Sequence, residues 1–279
     1  MKITLAKSAG FCFGVEKALN TAFEAAKSNK NVYMLGDIVH NEDVVKSIKG
    51  SGIKTIRSLK NGKGMTLIIR AHGTPASTLR KAKRLGYKII DATCPMVKEI
   101  HKIAKNLEND GYQIIIIGDK KHDEVKGIAG QLKKKALVID DLKNIPIPKL
   151  QKLKKAAIVV QSTQNLEKVL EIVAVLKKYI MDFHFHNTIC RPTRIKQQEI
   201  KTMPLENDVM IIIGSKTSAN TKRLYQISKS LNKHSFWVQS KKDLKKDWFK
   251  NAKSVGITSG ASTPDSTTQS IVKHIKKIT

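Results

Sequence analysis

The chain has 279 residues, 41% of them hydrophobic and 27% charged, the balance of an ordinary globular protein with room for two or three domains. Lys and Arg outnumber Asp and Glu by 52 to 23, but the excess is scattered lysine and aromatics are only 5%, which argues against a stacking platform for single-stranded nucleic acid. MKITLAKSAGF has no sustained apolar run, and IIII at 114–117 is far too short to cross a bilayer, so the expected setting is the cytoplasm.

The predicted elements alternate along the chain. KITLAK reads as a strand, followed by Cys12 and the helix GVEKALNTAFEAA. NVYML is followed by His40 and Asn41, and MTLIIRA by His72 in AHGTP. YKIID leads into Cys94 and the helix PMVKEIHKIA. YQIIIIG leads to His122 and Glu124, ALVID is a further strand, and AAIVVQ is followed by Ser162 and Thr163. The helix NLEKVLEIVAVLKKY puts Leu166, Val169, Leu170, Val173 and Leu176 on one face. FHFH precedes Cys190 and the helix RPTRIKQQEI. DVMIIIG is followed by Ser215, Ser218 and Asn220, and after HSFWVQ the last strand, SVGITS, runs into Gly260 and Ser262.

Continuous apolar strands separated by helices predict an α/β protein with parallel sheets covered on both faces. Each cysteine follows a strand and precedes a helix, and their spacings of 82 and 96 residues are close to a third of the chain. We therefore expect three similar α/β units, residues 1–94, 95–189 and 190–279, related in structure rather than sequence. IPIPK at 145–149 reads as a surface loop.

Ligands of open parallel sheets bind beyond the carboxyl ends of the strands. There the sequence collects imidazoles, hydroxyls and thiols, a good environment for phosphate. Ser218 and Ser262 read equally well as helix caps, and His101, His184, His186, His234 and His274 as structural residues. Three free cysteines make no disulfide framework. They are either three small buried hydrophobes or ligands. A structural zinc site would want a fourth protein ligand and often a CxxC spacing, which is absent. Three thiolates from separate units suit a [4Fe–4S] cluster with one iron lacking a protein ligand, beside an anionic substrate.

AGFCFGVEKAL, GDIVHNEDVV, IRAHGTP, DATCPMVKEIH, HDEVKGIAGQ, NTIC, IGSKTSANTKRL and GITSGASTPD together resemble the LytB family of 4-hydroxy-3-methylbut-2-enyl diphosphate reductases over nearly the whole chain. The resemblance implies a trefoil of three α/β units around a central [4Fe–4S] cluster, one per chain, held by Cys12, Cys94 and Cys190. It implies removal of the substrate's terminal hydroxyl, bound at the unique iron, as water. That would be the last step of the non-mevalonate isoprenoid route, giving isopentenyl and dimethylallyl diphosphate. His40, His72, His122, Ser162, Ser218, Asn220 and Ser262 would bind substrate, and Glu124 would supply protons with help from His122 and Ser162. Reduced ferredoxin or flavodoxin, both anionic, would deliver electrons to this basic protein; neither a membrane nor dedicated nucleic-acid binding is expected.

Four positions depart from the family's usual residues. Ser162 stands for a threonine, Ala219 for a serine, Asp123 for a proline and Lys196 for an arginine. Asp123 is expected to loosen its loop and, if it points inward, to raise the pKa of Glu124. Two other readings compete. One is a non-redox cluster dehydratase like quinolinate synthase, which the order His40, His72, His122, Glu124 disfavours. The other is a basic nucleic-acid-binding or redox-sensing protein, with salt-dependent binding and no need of His122 or Glu124.

Overall fold

Strands such as VMIII and QIIII bury both faces, so each must lie inside a sheet with a layer on either side. The computed structural model describes residues 1–279. In chain order its elements are β1 (Lys2–Leu5), α1 (Phe13–Ser28), β2 (Val32–Leu35), α2 (Glu42–Gly50), β3 (Lys54–Ile56), β4 (Thr66–Ile69), α3 (Ala76–Arg84), β5 (Lys88–Asp91), α4 (Pro95–Asn109) and β6 (Gln113–Ile117). They continue with α5 (Asp123–Ala129), β7 (Leu137–Ile139), α6 (Ile147–Leu150), β8 (Lys155–Val160), α7 (Leu166–Leu176), β9 (Asp182–Phe185), α8 (Arg191–Glu206), β10 (Val209–Ile213), α9 (Ala219–Leu231), β11 (Ser235–Val238), β12 (Ser254–Ser259) and α10 (Asp265–Ile278). No helix is long and apolar enough to cross a membrane.

The chain divides into two compact units. The first comprises Met1–Glu16, Val39–Ser47 and Arg191–Thr279, and the second Lys17–Ile38 and Ile48–Cys190. The first unit holds one parallel sheet of order β1-β12-β10-β11. Along β10, Val209, Ile211 and Ile213 face a core shared with Ile271 and Ile275 of α10. Met210 and Ile212 face the opposite core, with Ile200 of α8 and Leu224 and Ile227 of α9. The second unit holds two parallel sheets, β3-β2-β4-β5 and β7-β6-β8-β9. In the latter, Ile115, Ile117, Ile158 and Val160 pack on Val169, Ile172 and Leu176 of α7. Ile114, Ile116, Ala157 and Val159 pack on Ile100, Ala104 and Leu107 of α4. A fully apolar strand with alternate residues in two cores is the expected signature of a doubly covered sheet.

The three sheets have one topology. Read from the cysteine-bearing edge, they run β1-β12-β10-β11, β5-β4-β2-β3 and β9-β8-β6-β7. The similarity inferred from cysteine spacing is therefore visible in the sheets, but the sheets cut the chain differently from 1–94, 95–189 and 190–279. β1 pairs with β12, joining the first residues to the last sheet. Local pattern names a strand but not its distant partner. β3 also has no counterpart among the predicted strands, because Lys54–Ile56 is a three-residue edge with a lysine and a threonine.

In the two sheets of the second unit the middle strands send their crossovers toward opposite edges (β2 to β3 against β4 to β5, β6 to β7 against β8 to β9), and in the first unit α9 after β10 and α10 after β12 pack in opposite cores. That leaves a crevice past the carboxyl ends of β10 and β12, of β2 and β4, and of β6 and β8. The polar residues singled out in the sequence follow these middle strands, and the cysteines follow the edge strands β1, β5 and β9.

Candidate active site

In the second unit the crevice past β6 and β8 carries an acid. Glu124 is the second residue of α5 and only 2% exposed. One carboxylate oxygen accepts the Ser162 backbone N–H at 2.6 Å and the other accepts the Ser162 hydroxyl at 2.8 Å. Burial pushes the Glu124 pKa up to about 7, against the opposing pull of the Ser162 bonds. A carboxyl with that pKa exchanges protons near neutrality, which a general acid must do.

His122 caps α5: its Nδ1 accepts the Glu124 N–H at 3.1 Å. With Nδ1 accepting, the ring's proton belongs on Nε2. His72 meets it edge to face, with ring centroids 5.3 Å apart. The loop bearing His72 is fastened to α5, because Ala76 N–H donates to the Gly130 carbonyl at 3.0 Å and Gln131 Nε2 to the Thr74 carbonyl at 2.8 Å. Gly73 makes the turn possible: its φ is +73°, and a Cβ there would stand 2.8 Å from Cε1 of His101. His101 fills the space behind this loop, and burial, offset in part by Asp91, holds its pKa down at about 4.

Cys94 caps α4, with Pro95 at the first helical position, and its N–H donates to the Ala71 carbonyl at 3.0 Å. The Cys190 N–H donates to the Ser162 carbonyl at 3.1 Å. In the first unit the Cys12 N–H donates to the Ala261 carbonyl at 3.1 Å. The three bonds are equivalent: each joins the segment after an edge strand to the loop after its neighbour. All three thiols are half-buried and outside any disulfide.

The first unit also holds His40, Ser218, Asn220 and Ser262. Ser218 caps α9, its hydroxyl accepting the Thr221 N–H at 3.3 Å, and the Ser262 hydroxyl donates to the His40 carbonyl at 3.2 Å. The capping reading thus describes Ser218 in this state. Asn220 differs, being 5% exposed with neither amide nitrogen nor amide oxygen hydrogen-bonded. Buried amides are ordinarily satisfied, so an orphaned pair calls for an explanation.

The LytB protein family model matches residues 3–276. The chain belongs to the LytB family. Among LytB relatives, the 4-hydroxy-3-methylbut-2-enyl diphosphate reductase of Aquifex aeolicus is 39% identical over 99% of this chain and 96% of that one. The reductase of Clostridioides difficile is 37% identical over the full length of both. A solved structure described as this reductase, the terminal enzyme of the non-mevalonate pathway, matches with a TM-score of 0.73 at 38% identity, over 99% of this chain and 100% of that one. The corresponding reductase of Plasmodium falciparum matches with a TM-score of 0.88 at 29% identity, over 98% and 87%.

Against the usual LytB residues, the structure corrects the expectation for Asp123. Its carboxylate pairs with Arg70 Nη1 at 2.8 Å, both side chains about a fifth exposed, and so ties α5 to the end of β4 instead of loosening it. Asp123 does not contribute to the raised pKa of Glu124, because its charge is spent on Arg70. Asp123→Asn should therefore cost about 1 kcal/mol of stability in denaturant unfolding and leave the pH–rate profile in place; a displaced profile would show that its charge reaches Glu124. Ser162 retains the hydroxyl that a threonine would offer, and Ala219 is buried at the first turn of α9. Lys196 is buried too, and sequence reasoning passed over Glu199, three positions on in the same helix. The available signal was two opposite charges one turn apart on one helix.

Proposed function

We propose that this LytB protein reduces 4-hydroxy-3-methylbut-2-enyl diphosphate to isopentenyl and dimethylallyl diphosphate, using two electrons and two protons and releasing the hydroxyl as water. Full-length similarity to named reductases supports the reaction, and the buried Glu124 carboxyl, held by Ser162 at the helix end that His122 caps, is the observation that carries the chemistry.

The cofactor reading is an iron–sulfur cluster of the [4Fe–4S] type, with one iron free of protein ligands. The donor set fits: Cys12, Cys94 and Cys190 are three cysteines outside any disulfide at three topologically equivalent strand ends. When bound, the cluster supplies single electrons and a Lewis-acidic iron toward the substrate hydroxyl. Hydroxide is a poor leaving group, so proton delivery is needed as well. Glu124 holds that proton on a carboxyl kept neutral by burial, and the Ser162 hydroxyl orients the carboxyl and relays the proton. His122 offers Nε2–H to the substrate. His40, His72, Ser218, Asn220 and Ser262 are the remaining substrate-binding residues, with the unbonded amide of Asn220 available to phosphate oxygens. Fixing the diphosphate positions the reacting C–O bond. The +29 net charge favours an anionic substrate and an anionic reductant such as reduced ferredoxin or flavodoxin.

The test is the pH dependence of turnover with a chemical reductant in the absence of oxygen. The acid must be protonated, so the rate should hold below a pKa of about 7 and fall above it, by about tenfold per pH unit. A rate that climbs through pH 8 would remove Glu124 from the role of acid.

A further inference from the structure

Between β1 and α1 the chain runs from Ala6 to Cys12 without regular structure. Its backbone groups must find partners elsewhere, and α8 provides several of them. The Glu199 carboxylate accepts the N–H of Lys7 and of Ser8, each at 3.0 Å, and also the Ser8 hydroxyl. One turn earlier, Lys196, 2% exposed, donates its ammonium to the carbonyls of Ser8, Gly10 and Ser259, the last two at 3.1 Å. An ammonium has three donors, and here three carbonyls take them. Gly10 completes the path. Its φ is +96°, its N–H donates to Ser259 Oγ at 2.6 Å, and a Cβ there would lie 2.1 Å from Oδ1 of Asp265.

The other two cysteine segments are held differently. Before Cys94, Asp91 accepts the N–H of Thr93 at 3.0 Å, and before Cys190, Asn187 accepts the N–H of Ile189 at 3.2 Å. These are local turns, closed by the segment's own side chains. Only the Cys12 segment is gripped by a buried lysine and a half-buried glutamate from a helix distant in sequence.

We propose that Lys196 and Glu199 are positioning residues that set the place of Cys12, and only of Cys12, for metal binding. The proposal rests on the reading of Cys12 as a cluster ligand. It gives a use to a lysine buried to 2% exposure with all three donors on backbone carbonyls.

Backbone hydrogen exchange of the full-length protein, read by mass spectrometry, tests the clamp without relying on a cluster. Lys196→Met should speed exchange in residues 6–12 by at least about tenfold, the loss expected when charge-assisted bonds are removed, with peptides spanning 91–96 and 187–191 unchanged. Lys196→Arg, which keeps a buried cation with donors, should restore slow exchange. Glu199→Gln, which keeps the shape, should loosen residues 7–8 if Lys196→Met proves too unstable to purify. Iron content is read on the same samples and should fall in Lys196→Met and recover in Lys196→Arg. Equal acceleration at all three cysteine segments, or none at 6–12, overturns the proposal. The expected exchange pattern across the variants, together with a wild-type chain that binds no iron, would leave the clamp standing and defeat the cluster reading instead.

Discussion

Glu124→Gln should cut turnover by about a thousandfold while the protein still folds. Glutamine has the same shape, its amide oxygen can accept the Ser162 N–H, and its NH2 can donate to the Ser162 hydroxyl, so the buried contacts survive. What is lost is the exchangeable proton. The same substitution has a second signature. The folded pKa of Glu124, about 7, lies above its ordinary value of 4.5. Between those values the native state binds more protons than the unfolded one, so wild-type stability falls as pH rises through that window and has lost its full share above about 7. Glu124→Gln should flatten this component in urea melts at pH 5 and pH 8. A variant that keeps more than a tenth of the wild-type rate would show that the proton comes from elsewhere.

Single replacement of Cys12, Cys94 or Cys190 by serine should abolish turnover and lower iron retention at least as much as the roughly 10–100-fold affinity loss typical of changes around a metal ligand. A serine hydroxyl is nearly isosteric, and each cysteine contributes its backbone N–H, not its thiol, to the equivalent bonds with Ala261, Ala71 and Ser162. The fold should therefore persist, as circular dichroism would register. The three variants should fail alike, because the three sheets present their cysteines at the same topological place. A serine variant that keeps wild-type iron and sulfide would remove that cysteine from the ligand set.

β6, β8 and β10 were legible because they are runs of isoleucine, valine and other apolar residues, and a parallel sheet covered on both faces leaves no polar side to blur the pattern. The polar residues after those strands were legible for a related reason: nothing in a covered sheet calls for His122, Glu124 or Ser162 at its carboxyl edge. The pairing of β1 with β12 was not legible, since it joins opposite ends of the chain, nor was β3, an edge too short and polar to carry a period. Asp123 was misread because its meaning depends on Arg70, 53 positions earlier. The burial of Lys196 was hidden because a lysine in a lysine-rich chain reads as surface until α8 is seen to pack against the Cys12 segment.

The most direct measurement is electron consumption by the anaerobically purified protein on addition of 4-hydroxy-3-methylbut-2-enyl diphosphate, followed with a reduced dye and by product mass. Two electrons should leave the dye for each substrate converted, with the product lighter by one oxygen atom. Conversion without loss of electrons would make the protein a dehydratase, and no conversion by a protein loaded with iron and sulfide would contradict the reductase account.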